Sequence, residues 1–315
     1  MAYDIDSRLV VGLASSALFD LSESDAVFRS QGEQHYRQYQ RTHQDQPLPP
    51  GVAFHFVRRL LSLNELDPDD PPVEVVLLSH NDPDTGLRVF KSIEHHGLNI
   101  TRAVFLQGRN PYQYVPAFNI SLFLTANDDD VHEAIKEGIP AGLVLRSQVD
   151  DDQDDDELRL AFDFDGVIVD DESEAVYQHS DLEHFKQHEV DKAEVPHNPG
   201  PLKVFLEKIS HIQTLEQQRS AQDVNYKPKL RVAIVTARSA PAHERVINTM
   251  RSWDLMINDA FFLGGIEKRR ILEVFKPHIF FDDQRLHLDA TSSVLPSVHI
   301  PFGIANQGGR SDKAS

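Results

Sequence analysis

The sequence predicts an α/β chain built on parallel strands, and two observations predict it. Short apolar runs recur that are hydrophobic at successive rather than alternate positions: VVLLS at 75–79, LRLAF at 158–162, VAIVT at 232–236 and IFF at 279–281. A strand buried on both faces of a parallel sheet reads this way. Several of these runs also stop at a polar group and lead into helical patterns, the alternation expected of βα units. Open sheets of this kind collect their ligands beyond the carboxyl ends of the strands.

The most informative stretch is 158–170, LRLAFDFDGVIVD. Ala161 and Phe162 suit a central strand, and Asp163 and Asp165 emerge at its end as D-x-D, with Gly166 allowing a sharp turn just after them. Two carboxylates side by side repel each other unless a cation lies near. Mg²⁺ suits them, a hard ion held by few carboxylates together with phosphate oxygens. Downstream, 230–238 reads LRVAIVTAR, a strand that stops at Thr236. A helix is expected next, with Pro241 in its first turn and Val246, Ile247, Met250 and Trp253 on one apolar face. The segment 261–268, FFLGGIEK, ends a third strand in a glycine pair and delivers Lys268, and IFFDDQ at 279–284 ends a fourth in Asp282-Asp283.

The order Asp-x-Asp, Thr, Lys, Asp-Asp on four strand ends resembles the haloacid-dehalogenase-like (HAD) phosphohydrolases. The resemblance implies a HAD-like Rossmannoid parallel sheet with a small helical cap, and Mg²⁺ held by Asp163, the carbonyl of Asp165 and the Asp282-Asp283 pair, with Asp283 the preferred direct ligand. Asp163 would attack phosphorus and form an aspartyl-phosphate. Asp165 would protonate the departing oxygen and then activate water. Lys268 and the Thr236 hydroxyl would neutralise and hydrogen-bond the phosphate oxygens. The second aspartate is the mark of the phosphatases in that superfamily.

With 315 residues the chain is long enough for two cores. Its 31 basic and 50 acidic residues give a formal charge of −19, which opposes nucleic acid and anionic membrane surfaces. A phosphate site must therefore be locally positive, through Mg²⁺, Lys268 and arginines such as Arg238. Without cysteine, disulfides and thiolate-bound zinc are excluded. No apolar run reaches the ~20 residues needed to span a bilayer, and the start of the chain is acidic where a signal peptide is basic. A cytoplasmic protein is expected.

The run SQVDDDQDDDE at 147–157 cannot pack against itself and reads as a linker. It separates a first domain, 1–146, from a catalytic domain, 158–306, followed by a tail at 307–315. The roughly sixty residues 171–228 exceed a simple crossover, which needs about a dozen. Part of them should form the cap, with Pro199-Gly200-Pro201 breaking the chain before a helix at 202–212. His184 and His188 stand at i, i+4 on the cap, a spacing that serves metals, but their polar surroundings favour a solvated face. His95-His96 reads as structural.

The first half repeats the second in outline. VVGLASSALFD at 10–20 parallels the D-x-D strand, with Ala14 and Ser16 in the aspartate places. VVLLSHN at 75–81 parallels VAIVTAR. VFLQGRNPYQY at 104–114 parallels FFLGGIEKRRI, with Pro111 in place of Lys268. LFLTAN at 122–127 parallels IFFDDQ without its aspartates, Thr125 and Ala126 standing there instead. This half is therefore expected to be a degenerate HAD-like α/β unit unable to hold Mg²⁺. Asn81, Arg88 and Arg109 fall at or near its strand ends. They would serve substrate or effector binding, with helix capping and pairing to acids as the plainer reading.

The stretches SSALFD, NDPDTGLR, GLNITRAVFLQGRNPYQY, FDGVIVDDESE, NPGPLKVFLEKI, VTARSA, RSWDL, KPHIFFDDQ and HIPFGIA together resemble the class I cytosolic 5′-nucleotidases, over about residues 8–306. That resemblance implies Mg²⁺-dependent hydrolysis of nucleoside 5′-monophosphates, notably AMP and several deoxynucleotides. His80, where the family has asparagine, and the acidic linker depart from it and bear on base preference and regulation. A nucleotide effector and a homo-oligomer are compatible with it. Two other functions fit the residues: a HAD phosphatase acting on another monoester such as a sugar phosphate, and a non-catalytic nucleotide sensor, against which the intact carboxylate set speaks.

Overall fold

A computed structural model describes residues 4–147, 152, 155–179 and 182–306. The chain divides into two compact units, Met1–Val144 and Leu145–Ser315. Most of the acidic run and the whole of the tail at 307–315 lie outside the described residues. At the end of that run, Arg159 pairs with Asp155 at 2.6 Å and Glu157 at 3.0 Å.

The first unit runs β1 (Leu9–Leu13), α1 (Ser15–Leu18), α2 (Ser22–Gln31), α3 (Glu33–Thr42), α4 (Phe54–Ser62), β2 (Val73–Ser79), α5 (Pro83–His95), β3 (Arg102–Phe105), β4 (Leu122–Thr125), α6 (Asp128–Lys136) and β5 (Ala141–Val144). Its strands lie in the order β3-β2-β1-β4-β5, and all the pairings are parallel. Every residue of β1, β2 and β4 is buried, as apolar runs without alternation require. Asp82 caps α5 by accepting from the Thr85 N–H at 2.9 Å, and Pro83 follows as the first helical residue.

The second unit runs β6 (Leu158–Phe162), α7 (Glu172–His179), α8 (Leu182–Asp191), α9 (Lys203–Gln222), β7 (Leu230–Thr236), α10 (His243–Ser252), β8 (Asp259–Phe262), α11 (Lys268–Phe275), β9 (Ile279–Asp282), α12 (Arg285–Thr291) and β10 (Ser297–His299). Its strand order is β10-β9-β6-β7-β8, again with parallel pairings. Taken from first strand to fifth, both units follow one order, 3-2-1-4-5, with their first strand in the middle. The strand segments matched in the sequence occupy equivalent places in the two units.

Phe162 of β6 stacks on Phe281 of β9 at 4.9 Å between ring centroids, and Phe205 of α9 closes on both, at 6.3 and 6.1 Å. Burying each such ring contributes about 1.5–3 kcal/mol. Helix α9 therefore belongs to the core. It runs ten residues past the helix expected at 202–212, and the inserted element is correspondingly shorter than 171–228. The insertion leaves after Val167–Asp170 and returns through Asn198–Leu202. These two segments are joined by Asp170 N–H to Asn198 O (3.1 Å), Gly200 N–H to Ile168 O (2.9 Å) and Leu202 N–H to Val167 O (2.9 Å). A Cβ on Gly200 would strike the Val169 backbone, so the close approach needs glycine. What stands outside is the pair α7 and α8.

Helix α10 begins at His243, so Pro241 lies in the turn before it rather than in its first turn. Val246 and Met250 are buried there, but Ile247 is exposed, because the helix turns a narrower apolar stripe to the core than the sequence pattern predicts. Among the described residues no helix is long and apolar enough to cross a membrane.

Candidate active site

Four elements of the second unit bring their polar residues together beyond the carboxyl ends of β6, β7 and β9. Asp163 continues the ladder of β6, its N–H donating to Phe281 O at 2.8 Å. Its side chain is buried, with Oδ1 accepting from the Phe164 N–H at 2.7 Å. Lys268, the first residue of α11, is also buried, and its Nζ bridges Asp163 Oδ2 at 2.6 Å and Asp282 Oδ2 at 2.7 Å. Asp282 is further held by the Gln284 N–H at 2.8 Å and by His287 Nδ1, 3.3 and 3.2 Å from its two oxygens.

Asp283 is treated differently by its surroundings. Its backbone carbonyl accepts from His299 Nε2 and Asn306 Nδ2, each at 3.0 Å. Its buried Oδ1 has no hydrogen-bond partner among the described residues. Gly166, at φ +70°, lies so close that a Cβ there would come within 2.5 Å of Asp283 Oδ2.

One ammonium thus pairs with two of three neighbouring buried carboxylates, and the electrostatics follow. Burial, and next the balance of Lys268 against Asp282, leaves Asp163 pushed up to about 7. Burial and the negative charges of Asp163 and Asp282 push Asp283 up to about 9. Asp282 is buried too, but Lys268 and His287 outweigh that burial and hold it below the ordinary carboxylate range. Lys268 is raised despite its burial by Asp163 and Asp282.

This donor set fits a hard divalent cation: all oxygen, short of positive charge, with one buried carboxylate oxygen left without a donor. Asp163, Asp282 and His287 also offer ligand atoms within 4.8 Å of one another. Lys268 already caps both carboxylates of that trio, so the deficit lies on the Asp163 and Asp283 side.

Thr236, at the end of β7, is fully buried, and its Oγ1 accepts from the Arg238 N–H at 3.2 Å. Arg238 forks onto Asp165, with Nε 2.8 Å from Oδ2 and Nη2 2.7 Å from Oδ1. Asp163, Asp165, Thr236, Arg238, Lys268, Asp282 and Asp283 all gather at the carboxyl ends of the second unit's strands.

A sequence model of the 5′-nucleotidase family matches residues 1–307. The chain belongs to the 5′-nucleotidase family. Among the relatives of this 5′-nucleotidase-family chain, human cytosolic 5′-nucleotidase 1B is 35% identical over 289 residues, 90% of this chain and 47% of the relative. The chain thus spans about half the length of this relative. No solved structure matches it.

The first unit of this 5′-nucleotidase-family chain arranges its predicted residues otherwise. Arg88 lies in the second turn of α5, buried, donating from Nε to Gln46 O at 3.0 Å and from Nη1 to Gln40 Oε1 at 3.3 Å, over the Tyr39 ring. It packs helices rather than ending a strand. Asn81 Oδ1 accepts from the Tyr36 hydroxyl at 3.2 Å, and Arg109 is an exposed loop residue. In the place of Asp282, Thr125 Oγ1 donates to Asp130 Oδ2 at 3.1 Å, and the other oxygen of Asp130 lies 3.2 Å from His80 Nε2. The hydrogen bond to Asp130 raises His80 above its ordinary value.

The sequence reading missed His287, Glu189, His197 and Arg245. His287 was within reach, since it stands one helical turn beyond the Asp-Asp pair at the start of a helix. The other three carry no local signal, because their partners are distant in sequence. Of the two cap histidines, His188 turns to Glu172 at 3.4 Å and Glu189 at 3.0 Å, and His184 is exposed. His96 Nε2 lies 2.9 Å from Leu48 O and its ring stacks on Phe19, a packing role.

Proposed function

We propose that this chain is a Mg²⁺-dependent 5′-nucleotidase, acting in the cytoplasm on nucleoside 5′-monophosphates such as AMP, with deoxynucleotides included. The observation that carries the reading is the Asp163–Lys268–Asp282 bridge beside an Asp283 oxygen with no donor. It supports a HAD-like assignment of the second unit; the shared strand order, with Thr125 and Ala126 in place of the Asp-Asp pair, supports a degenerate HAD-like assignment of the first.

Asp163 is the nucleophile: its carboxylate oxygen forms the new bond to phosphorus as the ester P–O bond breaks. Lys268, fixed on Asp163, keeps that oxygen in place and faces the incoming anion with positive charge. Asp165 gives its proton to the departing 5′-oxygen, so the nucleoside leaves as an alcohol. Asp165 then takes a proton from water as the water oxygen attacks the aspartyl-phosphate. Orthophosphate leaves and Asp163 is restored. Thr236 accepts from the Arg238 N–H, which leaves its own hydroxyl proton for a phosphate oxygen. The residues that would hold the cation are Asp163, the Asp165 carbonyl and Asp283, with Asp282 behind them, fixing Lys268. Mg²⁺, when bound, supplies the positive charge that keeps the carboxylates ionised and masks the phosphate.

Phosphate release measured over nucleoside monophosphates, deoxynucleotides and sugar phosphates, with Mg²⁺ and with a chelator, tests this reading. Release from AMP that needs Mg²⁺ is the expected result. Preference for a sugar phosphate would reassign the substrate, and nucleotide binding without turnover would make the chain a sensor.

A further inference from the structure

The mechanism above uses Asp165 but not the charges assembled behind it. Six side chains form an alternating ladder, Lys192–Glu172–Arg245–Glu189–Arg238–Asp165. Lys192 reaches Glu172 Oε1, and Arg245 Nη2 donates to Glu172 Oε2 at 3.1 Å. Arg245 Nη1 donates to Glu189 Oε1 at 3.0 Å. Arg238 Nη1 donates to Glu189 Oε2, and its other two nitrogens take Asp165. With Asp165 ionised, as it is after giving up its proton, three cations meet three anions and the ladder is neutral as a whole. The side chain of Lys192 is 41% exposed, the three middle members are at most 2% exposed, and Asp165 emerges again at 20% in the site.

The surroundings fix the middle of the ladder. Ser173 Oγ donates to Glu189 Oε1 at 2.8 Å. Arg238 Nη2 lies 3.1 Å from His197 Nε2, and His197 Nδ1 lies 3.0 Å from Thr249 Oγ1. A guanidinium can only donate, so Nε2 accepts and the proton sits on Nδ1. Burial, opposed by Glu189 but reinforced by Arg238 and Arg245, keeps this imidazole below its ordinary value and neutral. Arg238 also lies over the faces of Phe164 and, from the cap, Phe185, at 5.1 and 5.5 Å.

Two of the three anions, Glu172 and Glu189, come from the cap helices α7 and α8, and Asp165 comes from the core. We propose that Glu189 is a positioning residue for Asp165, acting through Arg238, so that the cap sets where the carboxyl group that gives and retakes the proton stands. The inference rests on the phosphohydrolase reading of the site. The fork of Arg238 leaves Asp165 one orientation, and Glu189 leaves Arg238 one. A single buried carboxylate between two arginines is also what prevents those like charges from repelling each other apart.

The test compares Glu189→Gln and Arg238→Lys with the full-length wild type, on AMP and on p-nitrophenyl phosphate. Glu189→Gln keeps the shape and removes the charge; Arg238→Lys keeps the charge and removes the fork. A p-nitrophenolate leaves without help, whereas a nucleoside alkoxide needs the proton of Asp165. Misplacement of Asp165 should therefore lower kcat on AMP at least tenfold more than kcat on p-nitrophenyl phosphate, with KM little changed. Equal losses on both substrates, or no loss in folded protein, would overturn the proposal. Insolubility of both variants would assign the ladder to folding and overturn it too. Wild-type turnover of p-nitrophenyl phosphate and an alkyl monophosphate without turnover of AMP would sink the nucleotide reading alone, and the same ratio would then be read on the alkyl ester. A wild type that hydrolyses no phosphate ester would end both.

Discussion

Gly166 and Asp283 stand so close that a single methyl group would not fit between them: a Cβ on Gly166 would lie 2.5 Å from Asp283 Oδ2. The turn after the first strand of the second unit thus sets the position of the carboxylate after the fourth. Gly166→Ala should act twice, since the backbone there is also left-handed. It should cost about 1–3 kcal/mol of stability and weaken Mg²⁺ binding by displacing Asp283. Thermal melts and Mg²⁺ titration of activity check both. Unchanged half-saturating Mg²⁺ would remove Asp283 from the cation site.

Asp163→Asn keeps the size of the nucleophile and removes its charge. Turnover of AMP should fall roughly a thousandfold or more, with a melting temperature near or above that of the wild type. Relief of a buried carboxylate crowded by its neighbours favours the neutral amide. A variant keeping more than about a tenth of wild-type activity would refute the covalent route.

Asp165→Asn should separate the two substrates. Attack on p-nitrophenyl phosphate should persist at a reduced rate, and AMP hydrolysis should fall by a much larger factor, on the order of 10²–10⁴ for a lost general acid. Equal losses would deny Asp165 that role.

Cation binding should depend on pH in a stated direction. Without metal, Asp163 is pushed up to about 7 and Asp283 to about 9 by burial and mutual repulsion. A cation must displace those protons, so its apparent affinity falls as pH drops through 9 and again through 7. The loss should approach about tenfold per pH unit for each proton displaced. Isothermal titration with Mg²⁺ in buffers of different ionisation enthalpy counts the protons released. Affinity independent of pH between 6 and 9 would contradict the arrangement.

The buried ladder should make the fold sensitive to acid. His197 is held below its ordinary value first by burial. Its stabilising contribution is therefore complete above its unfolded value near 6.5 and is lost as pH falls from there through the lower folded value. The wild type should lose melting temperature between pH 7 and 5.5, and His197→Gln, which cannot protonate, should lose less over that interval. Parallel curves for the two proteins would show that His197 does not carry the effect.

The sequence by itself determined where the polar residues of the site fall along the chain. Asp163, Thr236 and Asp282 each end an apolar run, and buried parallel strands can be read from such runs because burial on both faces leaves no alternation. The matching runs VVLLS and VAIVT, LFLT and IFFD likewise suggested a repeated unit, but their common strand order was visible only in the structure. Only the tertiary structure decided the pairings. Lys268 and His287 close on Asp282 while Asp283 receives no donor, a difference between adjacent identical residues that no local pattern encodes. Arg238 meets Glu189 across 49 positions and Asp165 across 73, and Arg88, which looks like a strand-end ligand in sequence, is turned into the packing of α5 against α3. The length of α9 and the short cap were settled the same way, when Phe205 found Phe162 and Phe281. The physical reason is one of range. Periodicity and turn residues act over a few positions, whereas charge compensation and burial are fixed by whatever the fold brings within a few ångströms.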